Sequence, residues 1–331
     1  MASGDLLKKL FRSFKRQDTD AFYSAALEVI AEEKKKNHNV LAEDLQKILN
    51  NGNDHKFIPA DRSFERLPQD KDKGTLLVEV KSSNRMLSDL VLSPDIADQI
   101  TTILDEFRDG SVLRTYGLRP KQKILFAGPP GCGKTVTAEA LATELGLPLL
   151  YTRFDAVISS LLGETAANLR KVFEFAQKGT WVVFFDEFDA IGKSRQDIGE
   201  HGELKRVVNT FLQLLDNFMS DSILIAATNH ETLLDRAIWR RFDEIVYFNK
   251  PEPDEIRKLV AMRLRGFPHS GLNIDSFISS MHGWSHADIE RATIDAIKMV
   301  IIAGESEVTN VFFRKAVEMQ KNRMGVILQN S

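Results

Sequence analysis

A single cysteine in 331 residues excludes an internal disulfide. Stability must therefore come from packing, which suits a reducing compartment. No apolar run approaches the roughly 20 residues needed to cross a bilayer as a helix, so no membrane span is expected. The N-terminus shows no apolar core before a small-residue cleavage site, and the expected location is cytoplasmic. There is no excess of positive charge either. With 44 Lys and Arg against 47 Asp and Glu, the net charge is −3, and the basic stripe that bulk nucleic-acid binding requires is missing. What remains is the composition of an ordinary soluble globular protein, 43% hydrophobic and 27% charged. Its length exceeds what one core usually supports, so two or three units are expected.

The densest chemical information lies in Gly128-Pro129-Pro130-Gly131-Cys132-Gly133-Lys134-Thr135, directly after the apolar run Ile124 to Ala127. Glycines at these positions let successive backbone N–H groups turn inward around phosphate oxygens, where a Cβ would block the turn or the approach. Lys134 can reach the β- and γ-phosphates, and the Thr135 hydroxyl can ligate Mg²⁺. The alanine-rich helix expected from Val136 onward aims the positive end of its dipole at the same phosphates. The pattern predicts ATP and Mg²⁺ as ligands. Cys132 occupies a variable position of the loop, where an inert small residue is the simpler reading than a redox switch.

Two further segments supply polar groups at strand ends. Trp181 to Phe185 reads as a central parallel strand, buried on both faces, that ends in Asp186-Glu187. Asp186 would hold the Mg²⁺ shell, and Glu187 would polarise the attacking water as general base. The strand Ile223 to Ala227 ends in Thr228-Asn229, at the edge where ligands bind in open α/β sheets. Asn229 could orient the lytic water or cap the following helix.

From Tyr116-Gly117-Leu118-Arg119-Pro120 through the phosphate loop, Asp186-Glu187, Ala226-Ala227-Thr228-Asn229 and Arg241-Phe242-Asp243, the chain resembles the AAA domain of AAA+ ATPases. It is most similar to the group that contains katanin, spastin and valosin-containing protein. Gly283-Trp284-Ser285-His286-Ala287-Asp288-Ile289 is similar to that group's lid motif. The resemblance covers roughly residues 90 to 325. It implies a P-loop NTPase α/β fold, a parallel sheet sandwiched by helices and followed by a small all-helical lid. It also implies ATP hydrolysis in a homo-oligomeric ring, expected to be a hexamer, with a finger supplied in trans by Arg240 or Arg241. Ala287 would lie near the adenine, with His286 where a small residue is frequent. Leu161-Leu162-Gly163-Glu164 resembles the first pore loop, with Leu161 where an aromatic is common, and Ile198 to Glu203, with His201, resembles the second. The expected function is remodelling, unfolding or disassembly of a protein substrate. The alternative is a regulatory switch that recruits or activates a partner such as a protease without threading.

The expected organisation is a helical bundle over residues 1–50, a linker with a small strand region over 51–89, a large ATPase subdomain over 90–250 and a helical lid over 251–331. In the first segment, apolar residues recur at helical spacing from Leu6 to Phe14, Phe22 to Ile30 and Val40 to Ile48. Nine Lys and Arg against eight Asp and Glu make this segment nearly neutral. It is expected to dock a protein partner or substrate. Strands are expected at Thr75 to Val80 and at Leu87 to Leu92, and a helix with proline in its first turn at Pro94 to Phe107. Lid helices are expected at Glu255 to Arg265, Ile274 to Met281, Ala287 to Ala303 and Asn310 to Asn322. No Ser/His/Asp set or metal-ligand cluster marks a second catalytic centre there.

Overall fold

The computed structural model describes residues 6, 19–36, 67–70, 74–153, 157, 162–189, 201–230 and 236–329. Residues 1–66 and 67–331 are separate compact units. The first contains helix α1, Thr19–Lys35, which buries Ala25, Ala26 and Ile30 along one stripe, as its periodicity predicts. The expected helices on either side of α1 lie outside the described residues apart from Leu6, which is helical.

The second unit is built on a six-stranded sheet in the order β1-β3-β4-β5-β2-β6. The strands are β1 (Glu79–Lys81), β2 (Lys123–Ala127), β3 (Leu149–Arg153), β4 (Val182–Asp186), β5 (Ile223–Thr228) and β6 (Glu244–Tyr247). All pairings are parallel except that β1 runs antiparallel to β3. Helices α2 (Pro94–Arg108), α3 (Gly110–Thr115), α4 (Lys134–Leu145), α5 (Leu162–Gln177), α6 (His201–Asp216) and the short α7 (Arg236–Trp239) complete this layer.

The uninterrupted apolar runs of the central strands follow from burial on both faces. Leu125, Val183, Phe185, Leu224 and Ala226 point to one side, where Phe173 of α5 and Phe211 of α6 meet them. Phe173 lies 5.5 Å from the Phe185 ring and 5.6 Å, edge-on, from Phe211. Ile124, Phe126, Phe184 and Ile225 point to the other side, against Ile100 and Ile103 of α2 and Leu141 of α4. Strand alternation thus assigns successive residues to two cores.

Four helices follow the sheet: α8 (Pro253–Arg263), α9 (Asp275–Met281), α10 (His286–Ala303) and α11 (Asn310–Gln329). They enclose a third core with Val260, Phe277, Trp284, Ile289 and Phe313, which Val91 joins from the segment before α2. Each expected lid helix is present within a few residues of its predicted start.

Other expectations need correction. Leu87 to Leu92 is not a strand: Leu87–Asp89 is a 3₁₀ turn, because the Asp89 carboxylate accepts from the Met86 N–H at 2.9 Å and closes the chain on itself. The Thr75 to Val80 strand is reduced to the three residues of β1. Its first half instead turns back on residues 68–70, with Leu77 N–H donating to Pro68 O. The expected loop Ile198 to Glu203 overlaps the first turn of α6, which begins at His201. A glycine in the first turn, Gly202, costs a helix little there. Leu162 and Gly163 are the first two residues of α5.

Candidate functional site

The phosphate loop leaves β2 at Ala127 and enters α4 at Lys134. Gly128, Gly131 and Gly133 all have positive φ, a region that L side chains avoid. A Cβ on Gly131 would stand 2.7 Å from Ser285 Oγ and 3.2 Å from Ala287 Cβ, so the lid lies directly on the loop. The Ala287 N–H donates to Gly131 O at 3.0 Å, which ties the two together. Ser285 is also the N-cap of α10: its Oγ donates to Asp288 at 2.6 Å and accepts from the Asp288 N–H at 3.2 Å.

Pro130 to Val136 line the pocket between the loop and the lid. Gly128 and Pro129 do not; their carbonyls accept from Lys134 Nζ at 2.6 and 2.9 Å and hold the ammonium under the loop. Cys132 is buried, and burial raises its thiol pKa despite the nearby Lys134 ammonium. Its Sγ lies 3.8 Å from Pro130 O. A protonated, covered thiol fits an inert position better than a redox switch.

β4 delivers Asp186 and Glu187 to the same pocket, and the end of β5 delivers Asn229. Thr135 Oγ1 donates to Asp186 Oδ2 at 3.4 Å. A hydroxyl and a carboxylate converging beside the glycine-rich loop form the hard-oxygen donor set that suits Mg²⁺. Glu187 is exposed to the pocket and, with φ of 54°, is the one described non-glycine residue in the left-handed region. Strain of this kind concentrates at functional sites. Its own N–H donates to Asp186 Oδ1 at 2.9 Å. The Asn229 N–H donates to the buried Asp189 carboxylate at 3.3 Å, so the backbone at the β5 end is anchored while its side chain lines the pocket.

The far end of the pocket comes from residues to which the sequence assigned no chemistry. Arg85, Asp89, Leu90, Val91 and Leu92 approach from before α2, and Leu259, Arg263 and Glu290 from the lid. Arg263 pairs with Glu290 at 3.0 Å. Ala287 and His286 also line this end of the pocket. Burial lowers the His286 pKa and so disfavours the charged ring, partly offset by a backbone hydrogen bond with Val91. No local motif announces residues 85–92: only the fold carries them to a loop some forty positions away.

Arg240 and Arg241 do not line this pocket. Arg241 pairs with Asp216 at 3.0 Å and donates to Ala237 O at 2.9 Å. Arg240 is exposed and has no ion-pair or hydrogen-bond partner among the described residues. Leu161 lies outside the described residues, and the side chains of Leu162 and His201 do too, although their backbones are helical.

A phosphate loop, an acidic pair and a polar strand end, roofed by a helical lid, define a P-loop ATPase. The profile of the ATPase family associated with various cellular activities (AAA) matches residues 124–250. An uncharacterized AAA family ATPase, y4kL of Sinorhizobium fredii, is 41% identical over 98% of this chain and 97% of its own length. The ATP-dependent zinc metalloprotease FtsH 3 of Sphaerobacter thermophilus is 31% identical over 72% of this chain and 50% of its own. A proteasome-activating nucleotidase of Saccharolobus islandicus is 32% identical over 74% of this chain and 65% of its own. The chain belongs to the AAA family and hydrolyses ATP. It spans half of the metalloprotease and about two thirds of the nucleotidase. No helix among the described residues is long and apolar enough to cross a membrane.

Proposed function

We propose that this ATPase works as a ring, expected to be a hexamer, in which each pocket is completed by an arginine from an adjoining copy. Turnover then drives the pore loops, Leu161 to Gly163 and the segment before and including His201, to remodel, unfold or disassemble a protein. The N-terminal unit docks that protein or a partner. The observation that carries this reading is the separation of the arginines from their own site. Arg240 is exposed and unpaired among the described residues, yet it does not line the pocket of its own chain. Arg241 is paired with Asp216, so Arg240 is taken as the finger and is the first of the two to test. The names of two relatives, a proteasome-activating nucleotidase and an ATP-dependent protease, support a link between ATP turnover and protein handling.

Within the pocket, Gly131 to Thr135 would bind the phosphates, with the Lys134 ammonium exchanging the Gly128 and Pro129 carbonyls for the β- and γ-phosphates. Thr135 and Asp186 would hold Mg²⁺, which when bound would neutralise phosphate charge. Glu187 takes a proton from the attacking water, which Asn229 orients. Leu161, aliphatic where the resembled group commonly has an aromatic, favours a second reading as an ATP-dependent switch, since it offers less area for gripping a peptide.

The test is complementation between inactive copies. Arg240→Ala and Lys134→Ala proteins are each expected to lose about 10³-fold in turnover, and Arg240→Ala should still bind ADP. Mixing the two places an intact Arg240 beside an intact Lys134 loop in some interfaces and should restore part of the rate. Full activity of Arg240→Ala, or a mixture that stays inactive, would overturn the shared site.

A further inference from the structure

We infer that Tyr151 is a positioning residue for Asp186, and that through it the antiparallel edge strand β1 contributes to Mg²⁺ binding. The inference rests on the nucleotide site described above, but none of the sequence patterns pointed to Tyr151. It occupies the third position of β3, in register with Phe184 of β4, and its ring lies 5.7 Å from the Phe184 ring. From there the phenol donates to Asp186 Oδ2 at 2.8 Å. That oxygen is the one that also accepts from Thr135, while Asp186 Oδ1 accepts from the Glu187 N–H. Both carboxylate oxygens are therefore held, one by the backbone and one by Tyr151. A hydrogen bond to an ionised acceptor is among the stronger kinds. It removes rotations that Asp186 would otherwise lose on meeting the metal, which is how partners behind a ligand raise metal affinity.

The ring is itself clamped from behind. Lys81 Nζ sits 3.5 Å from the centre of the Tyr151 ring, within cation–π range. Lys81 comes from β1, whose Glu79 lies opposite Tyr151 in the antiparallel register and pairs with Lys81 at 3.7 Å. Three side chains on three neighbouring strands thus run from the sheet edge to the phosphate loop. Without β1 the ring would keep its contact with Phe184 but lose its cover.

Tyr151→Phe keeps the ring and removes the hydroxyl alone. Two quantities separate positioning from general damage: the Mg²⁺ concentration for half-maximal ATPase, and the affinity for fluorescent ADP measured with Mg²⁺ and with EDTA. The Mg²⁺ half-saturation should rise about tenfold, while ADP affinity in EDTA stays that of the unmodified protein. Lys81→Met, at the half-buried edge, should shift the Mg²⁺ dependence in the same direction by less, and it reads the same property if Tyr151→Phe folds poorly. An unchanged Mg²⁺ dependence in both variants, or an equal loss of ADP affinity with and without the metal, would overturn the inference. Failure of the unmodified protein to bind ADP would instead overturn the nucleotide site itself.

Discussion

Replacement of Gly131 by alanine tests whether the lid and the phosphate loop are one mechanical unit. Two costs follow from the geometry. The residue has φ of 73°, and an L side chain in that region costs about 1–2 kcal/mol. The added Cβ would also stand 2.7 Å from Ser285 Oγ. Ser285 cannot yield without losing its cap on α10, worth about 1 kcal/mol. The combined loss is about 2–3 kcal/mol, and a domain of this size loses about 2–4 °C in Tm for each kcal/mol. Gly304→Ala is the control. Gly304 has nearly the same φ, 71°, at the end of α10, with nothing within 4 Å of an added Cβ, so it carries the backbone cost alone. Thermal and urea unfolding of both proteins without nucleotide, followed by ADP titration, provide the comparison. Gly131→Ala should be the less stable and should bind ADP more weakly, because displacing Ser285 and Ala287 opens the pocket. Equal stability losses with unchanged ADP affinity would refute the contact between lid and loop.

With Glu187 as the proposed base, Glu187→Gln should leave ADP binding intact while turnover falls about 10²- to 10⁴-fold, read by phosphate release. Normal turnover in that variant would refute the assignment. His286 supplies a pH test. Its folded pKa lies below the ordinary 6.5, so the unfolded chain takes up the proton first, and stability is lost as pH falls below 6.5 toward the folded value. The melting temperature between about pH 7 and pH 5.5 should therefore drop more steeply for the unmodified protein than for His286→Gln. Parallel curves would show that burial does not keep this ring neutral.

The site was unevenly legible. Lys134, Thr135, Asp186 and Glu187 could be read from the chain because phosphate binding and hydrolysis confine them to short strand–loop–helix segments, and the structure brings all four to one pocket with Asn229. Central strands were legible because burial on both faces demands unbroken apolar runs, and lid helices because their apolar stripes recur every three or four residues. The failures have a different origin. Residues 85–92 carry no periodicity, and the Asp89 carboxylate closes a turn where the apolar letters suggested a strand. β3 escaped notice because Leu149 to Arg153 mixes Tyr, Thr and Arg into a short segment. Arg240 and Arg241 are adjacent in sequence, and only the fold pairs Arg241 with Asp216 while leaving Arg240 exposed.

Local chemistry marks where a nucleotide would bind, because Gly128 to Thr135 lie within one continuous strand–loop–helix segment. Which side chains roof the nucleotide, which carboxylate oxygen is held from behind and which arginine stays available are decided by contacts across tens to more than a hundred residues. Those contacts depend on strand order and on the seating of the lid over the loop, and a linear pattern carries no record of either.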